Sequence, residues 1–198
     1  MTSLYAAGAT APSLRQELRA ATQEVHDRMH RHAGFAAVQH ATISLADYQN
    51  LIVRLYGFYV PFEAAVSIGS DRSDWLAGDL EALGVKQPLH ALPKCGHVPD
   101  INNGHARLGA QYVTEGSALG GRELARGLDV LLGTGVIEGR RFFTGHGAGT
   151  GEAWRRYLAQ LSAAPPEPSA RAEIIKSAVD TFAVFEQWLS GWSTLSHG

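Results

Sequence analysis

Apolar side chains recur every three or four residues along most of the chain, which is the spacing of amphipathic helices. The pattern predicts six helices, at residues 14–32, 45–67, 73–83, 102–132, 152–163 and 169–192. Ser13 and Gln16 form a capping-box pattern at the start of the first helix. No segment alternates apolar and polar residues as a strand would. We therefore predict an all-α fold of six or seven helices in a single domain at residues 13–198, after a flexible tail at residues 1–12.

Two segments interrupt the helical pattern. Residues 86–99 contain three prolines and are predicted to form a loop, and residues 133–151 are very rich in glycine. The most apolar of the predicted helices is the one at residues 45–67, which is too hydrophobic to face solvent along its whole surface. We expect it to lie in the core.

The composition excludes several classes of function. The chain has 198 residues and a net charge of −2, which gives no basis for binding nucleic acid. No apolar run reaches membrane-spanning length, because Arg54 interrupts the best candidate. Cys95 is the only cysteine, so an intrachain disulfide is impossible and a reducing compartment fits. The first twelve residues lack the features of a signal peptide, and we expect a cytoplasmic protein.

Glycines at positions 116, 120 and 121 lie within the helix predicted at residues 102–132. Each glycine in a helix interior costs about 1 kcal/mol relative to alanine. Their bare backbone would let a flat ligand come close, or would let the helix bend sharply. Close packing against another helix, or a break between two shorter helices, would also account for them.

Two groups of residues have the spacing of known reactive or metal-binding motifs. His26 and His30 are four residues apart on one helical face, which can bind a metal ion, although no third ligand on a second helix is evident. Ser117 lies in a Gly-Ser-Ala-Leu-Gly segment that superficially resembles a hydrolase nucleophile turn, but no strand precedes it. His26 alone, directed into a cleft, could instead hold the iron of a cofactor.

Three segments in this order carry a family resemblance. Residues 18–26 (LRAATQEVH) resemble the first-helix motif of the heme oxygenases, which ends in the proximal iron ligand. Residues 115–121 (EGSALGG) resemble the distal helix of that family, which kinks at glycines over the other face of the heme. Residues 142–157, from FFTGHG to WRRY, are similar to the bacterial members associated with bacteriophytochromes.

The resemblance implies a set of site residues. His26 would be the iron ligand, and the catalytic distal helix would contribute Gly116, Ser117, Gly120 and Gly121. The other positions that would contact the heme are Arg19, Tyr112, Arg155 and Phe182. Of these, Arg19 lies two helical turns before His26 on the same face, which suits a propionate.

The resemblance also implies a reaction. Heme b would be both substrate and cofactor, dioxygen the oxidant, and an external reductase or ferredoxin the source of electrons. The products would be biliverdin, specifically the IXα isomer, with carbon monoxide and ferrous iron. A bacteriophytochrome would be the consumer of the biliverdin.

Two positions depart from the family pattern. His30 stands where the family often has an acidic residue, which leaves the partner of His26 open. Ser117 stands where the animal-type enzymes have an aspartate that orders the distal water. A serine cannot carry charge, so the water network must be held by different groups.

Three other functions remain compatible with the sequence. A heme carrier or sensor would bind heme without turning it over. A thiaminase-like enzyme, on the same helical fold, would need a cysteine or carboxylates in its pocket, whereas Cys95 lies in the proline-rich loop. A helical interaction protein would bind no heme at all.

Overall fold

The computed structural model describes residues 12–67, 71–165 and 167–193, which form helices and loops without any strand. The helices are α1 (Leu14–His30), α2 (Ala33–Gln39), α3 (Leu45–Val66), α4 (Asp71–Ala82), α5 (Gly104–Gly127), α6 (Asp129–Leu132), α7 (Arg141–Thr144), α8 (Thr150–Ser162) and α9 (Pro168–Leu189). The all-α prediction is confirmed. Apart from Pro12, the predicted tail at residues 1–12 lies outside the described residues.

The described residues form nine α-helices rather than six or seven. Several boundaries differ from the prediction, two of them because a separate short helix follows. The first helix ends at His30, because the His32 side chain accepts a hydrogen bond from the Gly34 amide (3.2 Å) and so caps α2, a short helix the pattern did not predict. The helix predicted at residues 102–132 is divided, and α5 ends at Gly127. A side chain at Gly127 would collide with the Val38 carbonyl, so the end of α5 fits closely against α2.

α9 is the helix on which the site is built. It packs along both α1 and α5, whereas α1 and α5 share at most isolated contacts with each other. The approach of α9 to α5 is close enough that a Cβ at Gly109 would collide with the Ile174 carbonyl, and the Ser177 hydroxyl donates to the Ala106 carbonyl (2.6 Å). α1 and α5 therefore stand apart on a common support, which leaves a cleft between them.

Buried carboxylates fix the helices that close the far side of this cleft. Glu63 on α3 accepts from the Arg72 and Ser73 amides, at 3.0 Å each, and so holds the start of α4. Asp79 on α4 accepts from the Arg141 and Phe142 amides, at 2.7 and 2.8 Å, and holds the start of α7. Burial raises the pKa of Asp79 to about 6, against the opposing effect of these two amides.

Across the described ranges, no helix combines the length and hydropathy that crossing a bilayer would require.

Candidate functional site

A cavity of about 440 Å³ lies between α1 and α5, and we call it the α1–α5 cavity. Its walls are mainly apolar and aromatic, with contributions from α3, α7 and α9 that include Leu55, Phe58, Phe142, Phe182 and Phe185. This size and character suit a small-molecule ligand with a large apolar body. The polar groups of the cavity come chiefly from α1 and α5.

His26 contributes its imidazole to the α1–α5 cavity from α1, with about half of the side chain exposed (51%). Its Nδ1 atom lies 3.7 Å from Asp27 Oδ1, and its ring meets the ring of Phe182 edge-on at 6.5 Å. Burial, and then the neighbouring imidazole of His30, lower the pKa of His26. The neutral ring that results at neutral pH is the form that ligates metals.

The described residues contain no group of three histidine, cysteine or acidic side chains that could hold an ion by themselves. The two-histidine pattern of the sequence is therefore not completed by a third protein ligand within these ranges. If His26, alone or with His30, binds a metal ion, the other ligands of that ion must come from something other than the described side chains.

The glycines of α5 have two different environments. A Cβ built at Gly120 would meet no atom within 4 Å, and one at Gly116 would come only within 3.9 Å of the Trp154 ring. A Cβ at Gly121, in contrast, would lie 2.6 Å from the Phe143 carbonyl oxygen. Gly120 thus leaves backbone bare towards open space, and a Cβ at Gly116 would fit in ordinary contact with Trp154. Gly121, although it also lines the cavity, allows α7 to pack against α5.

α5 runs unbroken through these glycines, so the alternative of two helices separated at Gly120 and Gly121 is wrong. The bend predicted there stays a prediction. Close packing accounts for Gly109, Gly121 and Gly127, but not for Gly116 and Gly120.

A chain of polar groups runs from the cavity into the core beneath α5. The Ser117 hydroxyl donates to the Thr114 carbonyl at 2.9 Å, and the buried Tyr59 on α3 lies next to Ser117 in the cavity wall. The Thr114 carbonyl also accepts a hydrogen bond from Arg72 Nη2 at 3.4 Å. Burial raises the pKa of Tyr59, so the phenol keeps its proton at neutral pH.

At their buried end, these polar groups include an ion pair. The Arg72 guanidinium lies 2.8 Å from Glu115 Oε1, and Arg72 is only 6% exposed. The capping of α4 by Glu63 positions Arg72 here. Sequence reasoning gave no role to Tyr59, Arg72 or Glu115. Tyr59 lies within an apolar run that indicates core, Arg72 carries no local signal, and Glu115 opens the segment at residues 115–121 without any sign of its partner.

The predicted ligand-contacting residues are only partly brought together. Arg19, Tyr112 and Phe182 line the α1–α5 cavity. Arg155 is exposed on α8, donates from Nε to the Gly151 carbonyl (3.3 Å) and is not among the cavity-lining residues, so its role stays a prediction. Arg15, which sequence reasoning did not single out, lines the cavity one turn before Arg19, with its guanidinium carbon 5.9 Å from the Trp154 ring centroid.

A comparison with protein-family models decides which family has this arrangement. The model described as "Heme oxygenase" matches residues 12–191, which include every helix from α1 to α9. The chain belongs to the heme oxygenase family. No individual curated protein matches it.

The residues of the cavity fit heme, the substrate of the heme oxygenase family. Heme is a flat apolar ring with an iron at its centre and two carboxylates at one edge. The cavity offers a neutral imidazole at His26, aromatic walls, and bare backbone at Gly120. Arg15 and Arg19 supply positive charge on the same helix as His26.

Proposed function

We propose that this protein is a heme oxygenase that cleaves heme b to biliverdin, with release of carbon monoxide and ferrous iron. One observation supports this above the others: a histidine on α1 and uncovered glycine backbone on α5 line a single apolar cavity in a chain of this family. Electrons would come from a separate reductase or ferredoxin. A cytoplasmic location and a bacteriophytochrome as the recipient of biliverdin belong to the same proposal and rest on the resemblance.

Bound heme supplies the iron that activates dioxygen and is itself the molecule that is oxidised. In the proposal, His26 holds the iron through a neutral imidazole, and Arg15, Arg19 and Tyr112 orient the propionates. Gly116 and Gly120 keep side chains away from the space in which dioxygen must fit. The aromatic walls exclude bulk water from the ring.

The polar chain under α5 has a defined part in the proposal. In the proposal, Ser117, whose hydroxyl donates to the Thr114 carbonyl, accepts a hydrogen bond from a water at the cavity surface and so orients it, with the protonated hydroxyl of Tyr59 beside it. Arg72 forms an ion pair with Glu115, so the Glu115 carboxylate beneath the site is neutralised and does not act as a free acid there. This arrangement supplies an ordered proton donor where the sequence lacks the aspartate of the animal-type enzymes.

The activity test uses the tag-free protein mixed with hemin, a ferredoxin and its reductase, in air with catalase present. We expect the Soret band to disappear, and biliverdin and carbon monoxide to form in equal amounts. Catalase removes free hydrogen peroxide, which would otherwise degrade heme without enzymatic control. A heme carrier would keep its Soret band under these conditions. With a helical interaction protein, the absorption spectrum of added hemin would stay that of free hemin.

Removal of the hydroxyls at Ser117 and Tyr59 should slow turnover without ending it. The loss of one hydrogen bond of about 1 kcal/mol corresponds to a rate lowered by roughly fivefold. A water can replace the Ser117 hydroxyl, so Ser117→Ala should have the smaller effect. Because the two hydroxyls act on the same water in the proposal, the double variant Ser117→Ala/Tyr59→Phe should be less impaired than the product of the single effects.

The control for this prediction is Tyr56→Phe, which changes the same residue type on the same helix at a position outside the cavity. Its turnover should match that of the wild type. Single-turnover rates with hemin already bound separate the effect from heme affinity. Wild-type rates in both Ser117→Ala and Tyr59→Phe would show that this chain of groups has no part in the reaction.

The isomer of biliverdin should depend on the residues that hold the propionates. We predict mainly the IXα isomer from the wild type, and a visible mixture from Arg19→Ala/Tyr112→Phe. A hydrogen bond to a charged group contributes about 1.5–3 kcal/mol, so its loss allows a second orientation of the ring to become populated. Chromatographic separation of the isomers measures this directly.

Two single variants sharpen the isomer test. Arg15→Ala should also mix the products, since Arg15 lines the cavity, whereas the exposed Arg155→Ala should not. Mainly β or δ isomer from the wild type would contradict the assigned anchors. A pure α product from the double variant would mean that the shape of the cavity, or Arg155, sets the orientation instead.

A further inference from the structure

His26 and His30 present the same ring nitrogen to the same point. Both line the α1–α5 cavity from successive turns of α1, and their Nε2 atoms are 3.3 Å apart. Their rings are inclined at 60° with centroids 4.5 Å apart, so the contact is not a stacked pair of rings. The two nitrogens face each other at the cavity surface.

The distance between these nitrogens matches the edge of a metal coordination tetrahedron. Zinc binds imidazole nitrogen at about 2.0–2.1 Å with tetrahedral angles, which places two such nitrogens about 3.3–3.4 Å apart. Without an ion, the 3.3 Å contact is a hydrogen bond between the two rings, and it holds the nitrogens at the separation that an ion would need. The pair is therefore spaced for an ion between the two nitrogens.

The surroundings of the pair also suit a cation. Asp27 Oδ1 lies 3.7 Å from His26 Nδ1, the nitrogen that points away from His30, and it is fixed by a 2.7 Å hydrogen bond from Gln23. At this distance the carboxylate places negative charge beside the pair, which favours a cation there. His26 and His30 are both exposed, so water can complete the coordination.

We propose that the heme-free protein binds one divalent first-row transition ion between His26 Nε2 and His30 Nε2, with water in the remaining positions. The ion and heme compete, because both require His26 Nε2. His30, which replaces the acidic residue frequent in the family, thus gives this chain a second metal-binding mode in the same cavity. The ion site stands on the geometry of the pair, and only the competition rests on the proposed function.

The test uses tag-free, heme-free protein and Zn²⁺ as the probe, in a buffer that does not chelate metals. Isothermal titration should give one equivalent bound by the wild type. His26→Gln and His30→Gln should each weaken Zn²⁺ binding at least tenfold, since a two-ligand chelate becomes a single ligand. His40→Gln, an exposed histidine outside the cavity, should bind Zn²⁺ as the wild type does.

A hemin titration then tests whether Zn²⁺ and hemin compete for the cavity. Saturating Zn²⁺ should raise the apparent Kd for hemin in the wild type but not in His30→Gln, which keeps His26 as iron ligand. Unchanged Zn²⁺ binding in His30→Gln would overturn the ion site. Hemin affinity unaffected by Zn²⁺ in the wild type would overturn the competition between the ion and heme. Absence of hemin binding in metal-free protein would instead count against the heme oxygenase function, while Zn²⁺ stoichiometry would still report on the ion site.

Discussion

Replacement of His26 by alanine should remove the histidine-ligated heme spectrum and lower turnover by roughly two orders of magnitude or more. His26 is the histidine that ends the matched family motif, and its imidazole lies in the α1–α5 cavity against Phe182. Without it, bound heme would lose the iron ligand that we propose. Resonance Raman detection of the iron–histidine stretch in the ferrous state, together with turnover rates, measures both losses.

His30→Ala is the matched control for this variant, since His30 lies one turn further along the same face of α1 and lines the same cavity. It should keep the iron–histidine signal and most of the activity. Imidazole added to His26→Ala should restore part of the spectrum and of the turnover, because it fills the space left by the side chain. If His26→Ala behaves as the wild type and His30→Ala fails, the motif has been assigned to the wrong histidine.

Two neighbouring glycines of α5 should respond to substitution in opposite ways. Gly120→Leu should leave the fold intact and abolish hemin binding or turnover, because the new side chain enters open space beside the cavity. Its thermal stability should not fall, since leucine favours a helix over glycine by roughly 1 kcal/mol. Hemin titration, circular dichroism and thermal melting measure the three quantities.

Gly121→Ala should instead lower thermal stability and leave hemin binding and turnover largely unchanged. Its Cβ would lie 2.6 Å from the Phe143 carbonyl oxygen, so α7 must move. Overpacking of this kind typically costs about 1–3 kcal/mol, which lowers the Tm of a chain of this size by roughly 2–4 °C per kcal/mol. Wild-type hemin affinity and turnover in Gly120→Leu would show that the bare backbone at Gly120 does not serve a ligand.

The sequence predicted the helices but could not distinguish these two glycines. A glycine in a helix indicates that something comes close, and only the tertiary structure shows whether the neighbour is the Phe143 backbone or open space. α2 was missed because seven residues are too few for the helical period to stand out.

The polar groups beneath α5 were unpredictable for a similar reason. Tyr59 is one aromatic residue within a buried apolar run. Arg72 has the pattern of a solvent-exposed charged residue at the start of a helix. Their proximity to Ser117 and Glu115 arises from how α3 and α4 pack against α5. His26, Arg19 and the α5 glycines were predictable because they lie within contiguous segments that resemble the family.

The separate attachment of α1 and α5 to α9 has a consequence for the energetics of loading. Apolar walls that face each other without contact form an incomplete layer of the core, and a ligand that fills the gap becomes part of it. Amide hydrogen exchange in α1 and α5 should therefore slow markedly when hemin binds, while α3, packed on several sides in either state, should change little. The melting temperature should rise with the concentration of free hemin. When the opened, more flexible product is released, amide hydrogen exchange in α1 and α5 should become faster again.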